Sequence, residues 1–254
     1  MKKATGWVAL ALVTGLATAC GGAATPGPDP TVTAVDTPAE GSSAAPGAPT
    51  GPEVGAGDAM PIPGVSGPIA AGRYHTTVMR PGFEIKLGDG WSLLSLETEQ
   101  AVTFAHGQDA DTVILAIARP QRVFDPQAAP DKDGEMPDEA RLPLPDDLVA
   151  WFQNHPLFET DEPVTITIGG VPATRIDLTV KEIAEPTCGP RCALLIATEH
   201  DDYAVAEGMA IRSYILDIGG ETIAIGALVQ EPASADAAFA LSDDVMASLQ
   251  FADS

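Results

Sequence analysis

The sequence predicts an α+β fold: a largely antiparallel, twisted sheet of several strands with flanking helices, preceded by a disordered tether. Three observations lead there. Short runs alternate apolar and polar residues with a period of two, as half-buried strands do. Two diglycine pairs, Gly169-Gly170 and Gly219-Gly220, sit between such runs, and a two-residue loop of that kind joins antiparallel strands. Only two segments carry apolar residues at helical spacing, and both fall between groups of strands.

The chain opens with MKKATGWVALALVTGLATAC. Lys2 and Lys3 form a positive start, and Gly6 to Ala19 is uncharged. A spanning helix needs about 20 apolar residues, so this stretch is too short to cross a membrane and reads as a signal peptide over residues 1–19. Ala17-Thr18-Ala19-Cys20 resembles the lipobox of bacterial lipoproteins. In that family the cysteine is lipidated, with acyl chains such as palmitate, and becomes the mature N-terminus. The family prefers Leu three residues before the cysteine; here Ala17 stands there, with Leu16 one place further back. The resemblance implies lipidation at Cys20, and two or three acyl chains make a stable anchor at ~0.8 kcal/mol per buried methylene.

Residues 21–66 carry 9 Gly, 9 Ala, 9 Pro and 8 Ser or Thr, with no aromatic residue. Such a segment cannot bury enough apolar surface to offset its ordering entropy. It is expected to be a disordered spacer with a root-mean-square reach of ~40 Å. The remaining residues, 67–254, are expected to form one globular α+β domain. Five of the 36 acids and two of the 13 bases precede Gly67, so the domain carries 31 acids against 11 bases.

Within the domain, Arg73 to Met79 reads as a strand, followed by a Pro81-Gly82 turn. Phe83, Ile85 and Leu87 alternate with Glu84 and Lys86 as a half-buried strand. Gly88-Asp89-Gly90 turns the chain into Trp91, Leu93 and Leu94, which points Trp91 to the core. Thr112 to Ala118 is almost wholly apolar, as expected of a central strand covered on both faces. Val164, Ile166 and Ile168 lead through Gly169-Gly170 to a return strand with Ile176, Leu178 and Val180 on one face. Ile211–Ile218 and Thr222–Val229 flank Gly219-Gly220. A first helix starts at Pro145-Asp146-Asp147, carries Leu148, Trp151, Phe152 and His155, and stops at Pro156. His155 then lies at a helix C-terminus, where a cation is favoured. A last helix starts near Ser234 as N-cap and shows Ala238, Leu241, Val245 and Leu249 as its apolar stripe.

Tyr74, Pro81 to Ile85 and Asp89-Gly90-Trp91 resemble the opening of PsbP/Mog1-like domains, and Val245 to Phe251 resembles their closing helix and strand. Where that family has Pro before Gly-Trp, this chain has Gly88-Asp89. The resemblance implies an antiparallel sheet flanked by helices and a binding or assembly role. It carries over no site residue.

A net charge of -23 and pI near 4.2 argue against nucleic acid, whose phosphates need clustered Lys and Arg. Cys188 and Cys192, spaced C-x3-C, are expected to form a structural disulfide, because lipidation of Cys20 leaves them as the only two thiols of an exported chain. Redox chemistry would want C-x2-C. The acidic run Asp131 to Glu139 reads as a solvated loop: placing Asp133-Gly134 in an EF-hand frame puts Ala129 and Ala140 where the first and last ligands belong. His75, His106, His155 and His200 have no zinc-ligand spacing, and no GxSxG, SxxK, P-loop or GxGxxG occurs. No metal, cofactor or catalytic residue is expected. The expected function is a membrane-tethered, extracytoplasmic lipoprotein of the bacterial envelope with a non-enzymatic binding or assembly domain. Its partners would be the membrane, through the lipid anchor, and a protein or small apolar ligand. The alternative is an exported hydrolase with a dispersed active site.

Overall fold

In the computed structural model, residues 58–107, 112–131, 135–189 and 191–252 are described. The expected signal peptide over residues 1–19, Cys20 and residues 21–57 of the expected tether lie outside them. Among these residues the fold is α+β, with mostly antiparallel strands and two α-helices.

The centre is a nine-stranded antiparallel sheet. Its path runs β10 (Phe158–Thr160), β12 (Val171–Val180), β15 (Ala210–Ile218), β16 (Glu221–Val229), β7 (Val113–Ala118), β6 (Ala101–His106), β5 (Trp91–Ser95) and β2 (Gly67–Pro68). A further strand, β11 (Val164–Ile168), pairs with β12 alongside β10. Both diglycines turn hairpins as expected: Gly169 and Gly170 have φ 57° and 82°, and Gly219 and Gly220 have φ 64° and 85°. Those left-handed values are cheap only without a Cβ. The apolar run over Val113–Ala118 lies between β16 and β6 and is covered on both faces.

One face of this sheet is closed by α2 (Ala235–Met246) and by a small sheet of β1 (Met60–Pro61), β3 (Gly72–His75), β4 (Phe83–Leu87) and β17 (Gln250–Phe251). Trp91, Phe104, Tyr214, Ile225, Phe83 and Met246 meet in this core. Trp91 is 1% exposed, as its turn suggested. The segments that carry the PsbP/Mog1-like resemblance come together here, since Phe251 pairs with Phe83 and Tyr74 with Ile85. The other face is closed by α1 (Leu148–Asn154) and by a sheet of β14 (Asp202–Ala206), β13 (Cys192–Ala197), β8 (Arg122–Phe124) and β9 (Arg141–Pro143). Leu148, Phe152, Phe158, Ile176, Leu178 and Leu195 fill that core.

Several expectations need correction. The domain begins before Gly67: Met60–Pro61 pairs in parallel with Tyr74–His75, and Ile62 is buried. Averaging over a long Pro-rich segment hid a short Met-Pro-Ile stretch, and an edge strand tolerates Pro because its N–H is not needed there. The strand expected over 73–79 ends at His75. The Glu97 carboxylate accepts the N–H groups of Thr77, Val78 and Met79 at 2.7, 2.9 and 2.9 Å and folds them into a loop. Asp147 is the N-cap of α1 rather than part of its first turn, accepting from the Ala150 N–H at 2.8 Å. Ser234 stands at the N-cap position of α2, but its side chain does not cap; a 3-10 turn over Pro232–Ser234 leads in instead. The covering strands β8, β9, β13 and β14 are not among the strands expected from the sequence.

Candidate functional site

Helix α2 is fastened to the central sheet by an ion cluster that sequence reading missed. Arg212 on β15 grips Asp177 on β12 with Nε and Nη2 at 2.8 and 2.6 Å, and its Nη1 donates to Asp243 of α2 at 2.7 Å. The Tyr214 hydroxyl donates to the second Asp243 oxygen at 2.5 Å, and the guanidinium lies 4.5 Å over the Phe239 ring. Hydrogen bonding and charge from Asp177 hold Arg212 firmly protonated, while burial pushes the Tyr214 hydroxyl above its ordinary range. Asp177 and Arg212 face each other in register across β12 and β15, and α2 supplies the third partner. Every charged group in the cluster is matched, so it is a strut.

A polar cleft of about 680 Å³ lies where β8 and β9 meet the turn between β13 and β14. Arg141 forms one wall. It donates to Asp202 at 2.8 Å and Asp138 at 3.1 Å and sits over the Phe124 ring. The buried Gln100, just before β6, also lines it: its side-chain carbonyl oxygen accepts the Glu199 N–H at 2.5 Å and ties the start of β6 to the turn. Thr198 shapes that turn, its hydroxyl accepting from the Asp201 N–H at 2.9 Å and donating to the Asp201 carbonyl at 3.3 Å. The Asp201 carboxyl beside it is pushed above the usual carboxylate range, mainly by burial, with His200 lowering it and Asp202 raising it. Arg122, Glu135, Glu199 and His200 line the cleft, are exposed, and make no ion pair among the described residues. A mouth with fixed turns and uncommitted charges suits recognition of a polar, charged surface.

The expected site residues lie elsewhere. Cys188 and Cys192 form a disulfide at the start of β13. Its loop is fixed by hydrogen bonds from the Thr187 N–H to the Cys192 carbonyl and from the Leu194 N–H to the Thr187 hydroxyl. Arg191, between the cysteines, takes a left-handed φ of 60° and donates to Glu207 at 2.7 Å. Residues 132–134 of the acidic run lie outside the described residues. Asp131 accepts the Glu135 N–H, and Asp138 is held by Arg141. Among the described residues, no group of three His, Cys, Asp or Glu could hold a metal ion.

His155 also differs from its expectation. It is buried against the rings of Trp151 and Phe158, and its Nδ1 accepts the Leu157 N–H at 3.3 Å. Burial lowers its pKa to about 4, so the ring is neutral at pH 7. Desolvation outweighs the helix C-terminus here because the latter contributes only about 0.3–1 kcal/mol at ordinary sites.

No protein-family model matches the chain, and no curated protein matches it either. Among solved structures it is similar to the solution structure of cyanobacterial PsbP (CyanoP) from Synechocystis sp. PCC 6803. That match has 14% identity and a TM-score of 0.39, and covers 72% of this chain and 94% of that one. An overlap of that quality does not assign the fold.

Proposed function

We propose that this chain is a lipid-anchored, extracytoplasmic lipoprotein whose domain is a non-enzymatic binding or assembly module. It would receive a cationic segment of a protein partner in the polar cleft. The observation that carries the binding half is the cleft itself. Its free carboxylates Glu135 and Glu199 stand on a strongly acidic domain, which would attract and orient positive charge. The polar lining supports a protein partner over a small apolar ligand. The anchor half rests on the lipobox-like end at Cys20. Among the described residues no helix is long and apolar enough to cross a membrane. The hydrolase alternative gains no support from the cleft, because the Thr198 hydroxyl is committed to its turn.

The test uses native membranes. The wild-type chain should partition into detergent and co-purify with a cationic partner. Cys20→Ser should move to the aqueous phase, and Glu135→Lys with Glu199→Lys should stay anchored but lose the partner. A Cys20→Ser chain that remains membrane-bound overturns the anchor. Retention of the same partner after charge reversal overturns the cleft.

A further inference from the structure

The outer edge of β11 differs from the other exposed sheet edges of this domain. Edge strands offer unpaired N–H and C=O groups to other chains, and proteins blunt them with Pro, charge, bulges or short length. Here β1 and β2 are two residues long and each contains Pro61 or Pro68, and β9 ends in Pro143. β17 has two residues, β10 has three with Glu159 among them, and β14 begins with Asp202 beside an irregularity in its pairing. β11 reads Val-Thr-Ile-Thr-Ile, with no charge, no Pro and an unbroken register on β12.

The register also says which groups are free. The diglycine turn makes Ile168–Val171 a hydrogen-bonded pair, and pairs alternate along an antiparallel ladder. Ile166–Ala173 and Val164–Arg175 are therefore bonded as well. The N–H and C=O groups of Thr165 and Thr167 point away from β12, and they have no partner among the described residues.

We propose that β11 is a self-association edge, whose occupant is β11 of a second copy, paired antiparallel about a two-fold axis at Ile166. The strand is its own complement. Thr165 of each copy would exchange two hydrogen bonds with Thr167 of the other, Ile166 would face its counterpart, and Val164 would face Ile168. An isologous contact of this kind closes as a dimer. The charge pattern permits it on an otherwise strongly acidic chain: the same register places Glu162 of one copy opposite the side-chain-free Gly170 of the other. Ile166 already packs against the main core, so pairing would extend that core across the axis. The inference does not depend on the cleft.

A five-residue edge is small beside the roughly 1,600 Å² of a standard interface, so association should be weak in free solution. The full-length chain carrying Cys20→Ser, with the Cys188–Cys192 disulfide intact, is suited to sedimentation up to about 1 mM. A dimer is expected. Thr165→Pro, which removes an outward N–H that the hairpin does not use, should weaken it at least tenfold. Ile166→Cys should form a disulfide between copies, since non-bonded pairs place Cα atoms about 4.5 Å apart. Val164→Cys, whose counterpart would be Ile168, should not. A chain that is monomeric throughout, a dimer indifferent to Thr165→Pro, or cross-linking equal at 164 and 166 would each overturn the proposal.

Discussion

The two faces of the nine-stranded sheet are closed by different parts of the chain and fastened by different chemistry. On the α2 face the cover comes from both ends of the domain, with β1, β3 and β4 from its start and α2 and β17 from its finish. The fastening there is ionic, through Arg212, Asp177 and Asp243. On the α1 face the cover comes from the middle of the chain, as β8, β9, β13, β14 and a seven-residue helix. Its fastening is aromatic, with Phe152, His155, Phe158 and Trp151 in ring contact. One sheet thus tolerates a full charge where two carboxylates meet it, and holds a titratable ring neutral where nothing offsets its desolvation.

The largest way to break the comparison is on the α2 face. Trp91 is almost fully enclosed with Phe104 and Tyr214. Trp91→Ala should lower stability by about 3–5 kcal/mol, read from the urea midpoint. A variant with an unchanged midpoint would mean that this core does not depend on its largest side chain.

The second test sharpens the α1 face through pH. His155 has a folded pKa of about 4 against 6.5 for the free ring. As pH falls the unfolded chain takes the proton first, so stability drops. The neutral ring's contribution is complete above about pH 6.5 and is lost as the pH falls through about 4, roughly 3 kcal/mol in all. Carboxylates titrate near the lower limit, so the quantity to measure is the stability gap between wild type and His155→Phe. That gap should shift by about 3 kcal/mol toward the variant between pH 7 and 4. A constant gap would show that His155 titrates alike in both states.

The smallest effect is expected at the ionic strut. Asp177→Asn leaves Arg212 its bond to Asp243, and the side chains are partly exposed, so the loss should be about 2 kcal/mol rather than that of a buried orphan charge. The same substitution should loosen α2 and speed amide hydrogen exchange there, while α1 is unaffected. Equal acceleration in both helices would mean that the two faces are not fastened separately.

Much of the fold was legible because its causes are local. Alternation over Phe83–Leu87, the apolar run at Val113–Ala118 and the two diglycine turns each act within a few residues. The candidate cleft was not legible. Arg141 meets Asp202, and Gln100 meets Glu199, across long separations in sequence, and neither pair has a spacing to read. Glu97 is similar: nothing near it shows that its carboxylate will capture the backbone of residues 77–79. The run Cys192–Ala197 is apolar without alternation, and such a run does not by its period separate a buried strand from a buried helix segment.

The sequence by itself determined the fold class, both hairpins and the burial of Trp91, since each follows from side-chain period or turn chemistry; the pairing of Cys188 with Cys192 follows from it once Cys20 is set aside as the expected lipidation site. Tertiary structure alone decided where the domain begins, which strands form the second cover, that His155 is neutral, and which charges meet at Arg212 and in the cleft. The physical reason is range. Backbone preference and hydrophobic alternation are set within one or two turns of chain, whereas desolvation and ion pairing depend on what another segment brings within about 4 Å.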